Sequence, residues 1–237
     1  MTVHVLHAGD GYTYLGYDLV FTPVKSVSVL WGLGDLEIAR AVRDAHHTAV
    51  ARALAYVETH AALTRTGAGG LAQVDTHGLV VAAFDHHDSR AGDPNLHTHC
   101  AVSTKVRGHD GKWRSLDGRV LHALAVSASE TYNTAIEDEL RTRLGVTFSA
   151  RTAAGTPVLA ERAAPDLRVV REVDGVDPRL LARFATRRTA VEADYSQRLE
   201  DYRRRWGHEP PRAAQMKLAQ EATLATRGGK AAPRSLH

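Results

Sequence analysis

The chain has 237 residues, with 30 Lys+Arg against 27 Asp+Glu for a net charge of +3, and 43% of its residues are hydrophobic. That composition can bury a sizeable core in one or two domains, which excludes a wholly disordered protein. A single cysteine, Cys100, excludes an internal disulfide and a cysteine-based zinc finger. With neither an apolar run of roughly 18 residues nor a signal-peptide pattern, the expectation is a cytoplasmic protein with no membrane partner.

Residues 17–22 alternate and are rich in β formers, which predicts a strand ended by Pro23, with a short helix over Lys25–Leu33. From Asp35, a helix cap, the apolar period becomes helical. Leu36, Ala39, Val42, Ala45, Ala49, Ala53, Leu54 and Val57 trace one face of a helix running to about Leu63. After a glycine loop at 67–70, residues 71–86 read as a strand or hairpin, residues 87–96 as a loop and His97–Val106 as a second strand. A tight turn at His109-Asp110-Gly111 leads to a third strand, Lys112–Leu116. Residues 120–144 fit a helix, 146–173 hold short strands, and Asp177-Pro178 opens a helix to about Trp206. Pro210-Pro211 precede a last short helix and a frayed tail from Gly228. The fold class expected is α/β (α+β), with a core at 1–175 and a helical C-terminal extension of the same domain at 176–237.

Charge and histidine are both unevenly distributed. From residue 161 onward there are 16 Lys+Arg and 11 Asp+Glu, a bias that fits a nucleic-acid partner or a solvated helix face equally well. Six of the 14 histidines fall between His77 and His109. In the strand around His97-Thr98-His99, side chains alternate, so His97 and His99 share a face and Thr98 and Cys100 take the other. Chance alone yields roughly 0.8 such H-x-H pairs in this composition, so the pair needs a third ligand to carry weight. If 79–86 pairs antiparallel with this strand, His86 or His87 comes alongside. Three neutral imidazoles hold a divalent ion, preserve its full charge and leave positions open for a substrate oxygen. His87, His109 and His122 otherwise read as ordinary loop or surface histidines.

The surrounding residues sharpen this. Phe84-Asp85-His86-His87-Asp88-Ser89-Arg90 followed by Asp93-Pro94-Asn95-Leu96-His97-Thr98-His99 resembles the three-histidine motif of the TrwC/TraI-type conjugative relaxases, the MobF family of HUH endonucleases. Gly16-Tyr17-Asp18-Leu19-Val20-Phe21-Thr22-Pro23-Val24-Lys25-Ser26-Val27-Ser28 resembles that family's G-x-D-L-T-F-S-x-x-K-S-V-S segment. Gly108–Leu116 resembles the hairpin after the ligand strand, and Tyr202–Pro211 the end of actinobacterial-type relaxase domains. The resemblance implies a palm of about five mainly antiparallel strands under packed helices. It implies His86, His97 and His99 as ligands of Mg²⁺ or Mn²⁺, with Zn²⁺ also possible, and Asp18 as a base or orienter.

By the same resemblance the activity is site-specific nicking of single-stranded or hairpin DNA at a plasmid origin of transfer. A tyrosine attacks and keeps a 5′-phosphotyrosyl link. Tyr14 is the first choice and Tyr12 the second, and Arg90 and Lys25 are candidate phosphate contacts. Accessory relaxosome proteins and a following helicase domain are the implied partners, although no P-loop pattern occurs in this chain. Two readings from other classes remain: a DNA-binding module without cleavage, and a metal-dependent hydrolase on a three-histidine site. Family members carry several dozen residues between the N-terminal strand and the G-Y-D-L strand, whereas Leu15 here abuts Gly16. The expectation is therefore a spatial gap between Leu15 and Gly16, well beyond the ~3.8 Å of bonded Cα atoms, with the Tyr14 hydroxyl within several ångströms of the histidines.

Overall fold

The computed structural model describes residues 1–7, 14–150 and 170–228. Within it the chain forms two compact units, one of residues 1–87 and 96–176, the other of 88–95 and 177–237. In the first unit, β1 (Thr2–His7), β2 (Tyr14–Phe21), β5 (Val81–Asp88) and β6 (Pro94–Ser103) form a sheet in the order β1-β2-β6-β5. Strand β2 runs antiparallel to both neighbours, with Gly16 opposite Leu6 and Ser103, and Val20 opposite Thr2 and His99. Strands β5 and β6 are also antiparallel, since Ser103 bonds back to Val80 at one end and Ser89 to Asp93 at the other. The expected class holds, with four strands in the central sheet among the described residues where about five were expected.

One face of the β2–β6 pair is dry. Leu19 and Phe21 of β2 and Leu96, Cys100 and Val102 of β6 are all fully buried. They pack under α2 (Leu36–Ala61) and α4 (Ala125–Leu144). The Asp35 carboxylate caps α2 by accepting from Ile38 N at 2.9 Å. Its inward stripe is Val42, Ala45, His46, Ala49, Val50, Ala53, Val57 and Ala61, three- and four-residue steps that keep one face against the core. Ala45, Ala49 and Ala53 on this stripe are fully buried. Arg52 fastens the outer edge through Asp138 and Glu139, at 3.4 and 2.7 Å. Helix α4 stops at Gly145, whose φ of 66° is a left-handed cap that suits glycine.

Around this core lie α1 (Lys25–Leu33), the hairpins β3 (Leu63–Thr66) with β4 (Ala72–Asp75) and β7 (Lys105–Arg107) with β8 (Trp113–Ser115), α3 (Gly118–Ala123), and the pair β9 (Phe148–Ala150) with β10 (Arg171–Val173). Helix α2 stops at Ala61, two residues before the predicted end at Leu63, because Leu63 already pairs with Asp75 across a glycine turn. The strand read as 97–106 divides at Thr104, with β6 ending at Ser103 and β7 beginning at Lys105. Expectations for 151–169 and for the tail beyond 228 lie outside the described residues.

The second unit contains α5 (Pro178–Arg183), α6 (Thr186–Trp206) and α7 (Arg212–Ala225), together with residues 88–95. Helix α6 begins at Ala185, which offers no capping side chain. The Asp93 carboxylate takes that place, accepting from Thr186 N and Thr186 Oγ1 at 3.0 Å each. Arg198 joins α6 to Glu221 of α7 at 3.2 Å. Among the described residues no helix is long and apolar enough to cross a membrane.

The expected gap between Leu15 and Gly16 is absent. Both lie within the unbroken strand β2, and Thr104 N donates to Leu15 O at 3.3 Å. The connection from β1 falls on residues 8–13, so Gly16 is not required to turn. Its role is close approach instead: a Cβ there would collide with the Val102 carbonyl oxygen of β6. Gly16→Ala should therefore lower stability by about 1–3 kcal/mol. Denaturant titration of the two chains, compared at equal slope, measures this.

Candidate metal centre

The second face of the sheet is open, and three imidazoles converge there. His86 comes from β5, and His97 and His99 from β6, two residues apart and so on one face. Their ring centroids form a nearly equilateral triangle of 5.1, 4.8 and 5.2 Å. One ring nitrogen from each lies within 4.8 Å of the others, and among the described residues this is the one such group of His, Cys, Asp or Glu. Metal–imidazole bonds are ~2.0–2.1 Å long, so nitrogens this close to one another are spaced as the donors of one ion.

Asp18 completes the centre. It lies on β2 opposite Ala101, and its Oδ2 is 2.7 Å from His99 Nδ1. A carboxylate accepts, so Nδ1 carries the proton and Nε2 keeps its lone pair. This is the carboxylate–histidine arrangement that orients metal ligands. The other carboxylate oxygen, Asp18 Oδ1, is buried and has no hydrogen-bond partner among the described residues. A buried acceptor left open in this way is costly unless something donates to it, which suits a site meant for a proton-bearing group.

The other candidates are placed as follows. His87 stacks on Trp31 at 5.1 Å, His109 pairs with His77 at 4.5 Å, and His122 meets Tyr17 edge-on at 5.8 Å. Lys25 is the half-buried first residue of α1. Arg90 is exposed in the second unit and donates to Gly228 O at 2.8 Å. Tyr12 lies outside the described residues, as does the side chain of Tyr14. The Tyr14 backbone opens β2 opposite His7, six residues before Val20, the partner of His99. At ~3.3 Å per residue that is roughly 20 Å of strand between the two backbone positions, and the expected place of the Tyr14 hydroxyl beside the histidines lies outside the described residues.

On the other side of the sheet from the three histidines lies a hydrogen-bonded set that includes His46 and Tyr132, neither of which the sequence pattern marks as part of a site. Thr98 Oγ1 donates to Asp85 Oδ1 at 2.6 Å. His46 Nε2 lies 2.8 Å from Thr98 Oγ1, His46 Nδ1 lies 2.7 Å from Tyr132 Oη, and His47 Nε2 lies 2.7 Å from Asp85 Oδ2. Burial pushes the Asp85 carboxyl up, but hydrogen bonds from Thr98 and His47 bring it below the usual range. Burial, aided by neighbouring His47, lowers His46 to about 4. The available signal was a histidine on the apolar stripe of α2.

Comparison with known proteins agrees with this geometry. The TrwC relaxase family model matches residues 6–237. The chain belongs to the TrwC relaxase family. A stretch of 101 residues is 42% identical to the multifunctional conjugation protein TraI of Escherichia coli, and the same holds for TraI of strain K12. That match covers 43% of this chain and 6% of TraI. Among solved structures, a copper-bound complex of the conjugative relaxase TrwC with oriT DNA is 27% identical. It has a TM-score of 0.72 and covers 96% of this chain and 68% of that one. TrwC with a 27-mer DNA comprising the recognition hairpin and cleavage site gives 26%, 0.72, 96% and 71%. The three-histidine centre of this TrwC-family chain thus has the donor set for a divalent ion.

Two measurements check the centre. His97→Ala should weaken Mn²⁺ or Zn²⁺ binding by at least a hundredfold in titration calorimetry, while His109→Ala, which alters the separate His77–His109 pair, should leave it unchanged. The second concerns His46, which is neutral in the fold and ordinary, near 6.5, in the unfolded chain. Between about pH 6.5 and 4 the unfolded chain takes up a proton that the native one does not. Stability therefore falls as pH drops through that window, by up to about 3 kcal/mol. Urea midpoints recorded from pH 7 to 4.5 should show a shallower loss in His46→Gln.

Proposed function

We propose that this chain is the DNA-nicking domain of a conjugative relaxase, cutting one strand at an origin of transfer by transesterification to a tyrosine. The carrying observation is the triangle of His86, His97 and His99 on an open sheet face, with His99 oriented by Asp18. In the reaction the phenol oxygen bonds to phosphorus and the 3′-hydroxyl leaves, so the strand is held as a 5′-phosphotyrosyl ester and can be rejoined. A phenol of pKa about 10 needs help to lose its proton. The open Asp18 Oδ1 is an acceptor for that proton, while Oδ2 keeps His99 in its ligand tautomer. A divalent ion on the three imidazoles, Mg²⁺ or Mn²⁺ with Zn²⁺ also admissible, would draw charge from the scissile phosphate.

Tyr14 remains the first candidate nucleophile and Tyr12 the second, with Arg90 and Lys25 as phosphate contacts. The substrate class is single-stranded or hairpin DNA, because a plain duplex does not present an exposed strand to the sheet. The DNA-bound TrwC neighbours support this. TraI is named multifunctional and is far longer than the matched stretch, which supports a helicase in the same polypeptide. Relaxosome proteins and a cytoplasmic setting complete the reading. One observation favours a second reading, a DNA-binding module without cleavage. The Tyr14 backbone sits roughly 20 Å of strand from the His99 level, so attack from it requires the β1–β2 end to rearrange.

Incubation with a labelled oriT-type oligonucleotide and Mn²⁺ decides between them. A relaxase gives a denaturant-resistant protein–DNA adduct that Tyr14→Phe abolishes. An adduct that survives Tyr14→Phe but not Tyr12→Phe moves the nucleophile to Tyr12. Binding without any adduct selects the second reading. In either case affinity should drop about tenfold or more between 50 and 200 mM salt as phosphate contacts release counterions.

A further inference from the structure

The side of β6 turned away from the three histidines carries a line of hydrogen bonds that the proposed chemistry does not use. Its direction follows from proton counting. Thr98 has one hydroxyl hydrogen and gives it to Asp85 Oδ1 at 2.6 Å, so it must accept from His46 Nε2–H at 2.8 Å. His46 is neutral, so its Nδ1 is then an acceptor, and Tyr132 O–H donates to it at 2.7 Å. The line runs Tyr132 to His46 to Thr98 to Asp85, every donor pointing toward the carboxylate. Tyr132 and His46 are fully buried, Thr98 is 2% exposed, and the line ends at the exposed Asp85.

Resting on the metal-centre reading above, we propose that this line is a positioning device: it fixes the spacing and ring orientation of His86, His97 and His99 from the hidden face of the sheet. Thr98 stands between His97 and His99, so any shift of its backbone moves both ligands. Asp85 is next to His86 on β5, which among the described residues is an edge strand paired with β6 alone. The Thr98–Asp85 bond therefore ties the two ligand-bearing strands together at the level of the ligands. His46 and Tyr132 extend the tie into α2 and α4, the helix layer. Phe21 lies against Tyr132 at 5.4 Å and is opposite Thr98 in the sheet, which confines the line laterally.

Apolar residues of similar volume at 98, 46 and 132 would fill the same space, and buried polar groups replaced as a set cost little stability. They would supply no direction, however, and the edge strand could slide against β6. Thr98, Asp85, His46 and Tyr132 are thus positioning residues rather than ligands. Partners bonded directly to a ligand change metal affinity by roughly 10- to 100-fold when removed, and this line acts one residue further out, so the effect falls at the lower end of that range.

The test uses the full 237-residue chain titrated with Co²⁺, whose visible bands report ligand geometry, alongside Mn²⁺ calorimetry and thermal unfolding. Thr98→Val keeps the shape and deletes the hydroxyl. It should weaken Co²⁺ and Mn²⁺ binding about tenfold and shift the Co²⁺ bands, and Thr98→Ser should restore both. A folded Thr98→Val with unchanged affinity and spectrum overturns the proposal, leaving a cluster that serves stability alone. If Thr98→Val does not fold, Tyr132→Phe decides. A shifted spectrum with weaker binding supports the device, and values equal to those of the unsubstituted chain overturn it. An unsubstituted chain that melts normally yet binds no Co²⁺ overturns the metal reading itself, and the device with it.

Discussion

The pairing of β2 with β6 is the constraint on which everything else depends. It places Leu19 beside Cys100 and Phe21 beside Thr98 on the dry face, and Asp18 beside Ala101 and Val20 beside His99 on the open one. A slip of one residue would exchange the faces, burying imidazoles under α2 and exposing the core. Gly16 lets the two backbones draw together where the Val102 carbonyl leaves no room for a side chain. The metal centre and the hydrophobic core are thus two sides of one register, and neither can be altered by repositioning a strand without losing the other.

This two-sidedness also decided what was legible in the amino-acid sequence. His97 and His99 could be read because period-two alternation is local: a strand assignment alone puts them on one face. Asp18 was reached only through the likeness of its motif, since its contact with His99 spans 81 residues. Thr98 was noted as pointing away and then set aside. Its partners His46 and Tyr132 lie 52 and 86 residues apart from Thr98 and His46 respectively, beyond any pattern within a window. His46 was further masked by the alanines around it on the α2 stripe. The junction at Leu15–Gly16 was misjudged for a related reason: a chain gap was expected there, whereas both residues continue one strand and Gly16 answers to the neighbouring β6.

Electrostatically, the chain separates its two histidine environments by depth. His46 is kept neutral by burial and is used as a rigid link. His97 and His99 are half-buried and His86 exposed, close enough to solvent for exchange with an incoming ion or phosphate. Between them, Asp18 and Asp85 approach the ligand strands from opposite faces, one contacting a ligand directly and the other contacting the residue between two ligands. Carboxylates on both sides of one strand oppose the accumulation of positive charge that an ion would bring.

The capping of α6 by Asp93 bears on how the molecule can assemble. The carboxylate comes from the tip of the β5–β6 connection and the helix it caps begins 93 residues later. The second unit is therefore discontinuous in the chain, with eight of its residues contributed by the interior of the sheet's own hairpin. As the polypeptide emerges from the ribosome, Asp93 waits through nearly a hundred further residues before its partner exists. A fragment ending at Val176 would leave that carboxylate without the amide and hydroxyl that receive it here. The sheet and the C-terminal helices are consequently not separable modules of inheritance: a recombination event that exchanged the helices would also have to match the hairpin tip.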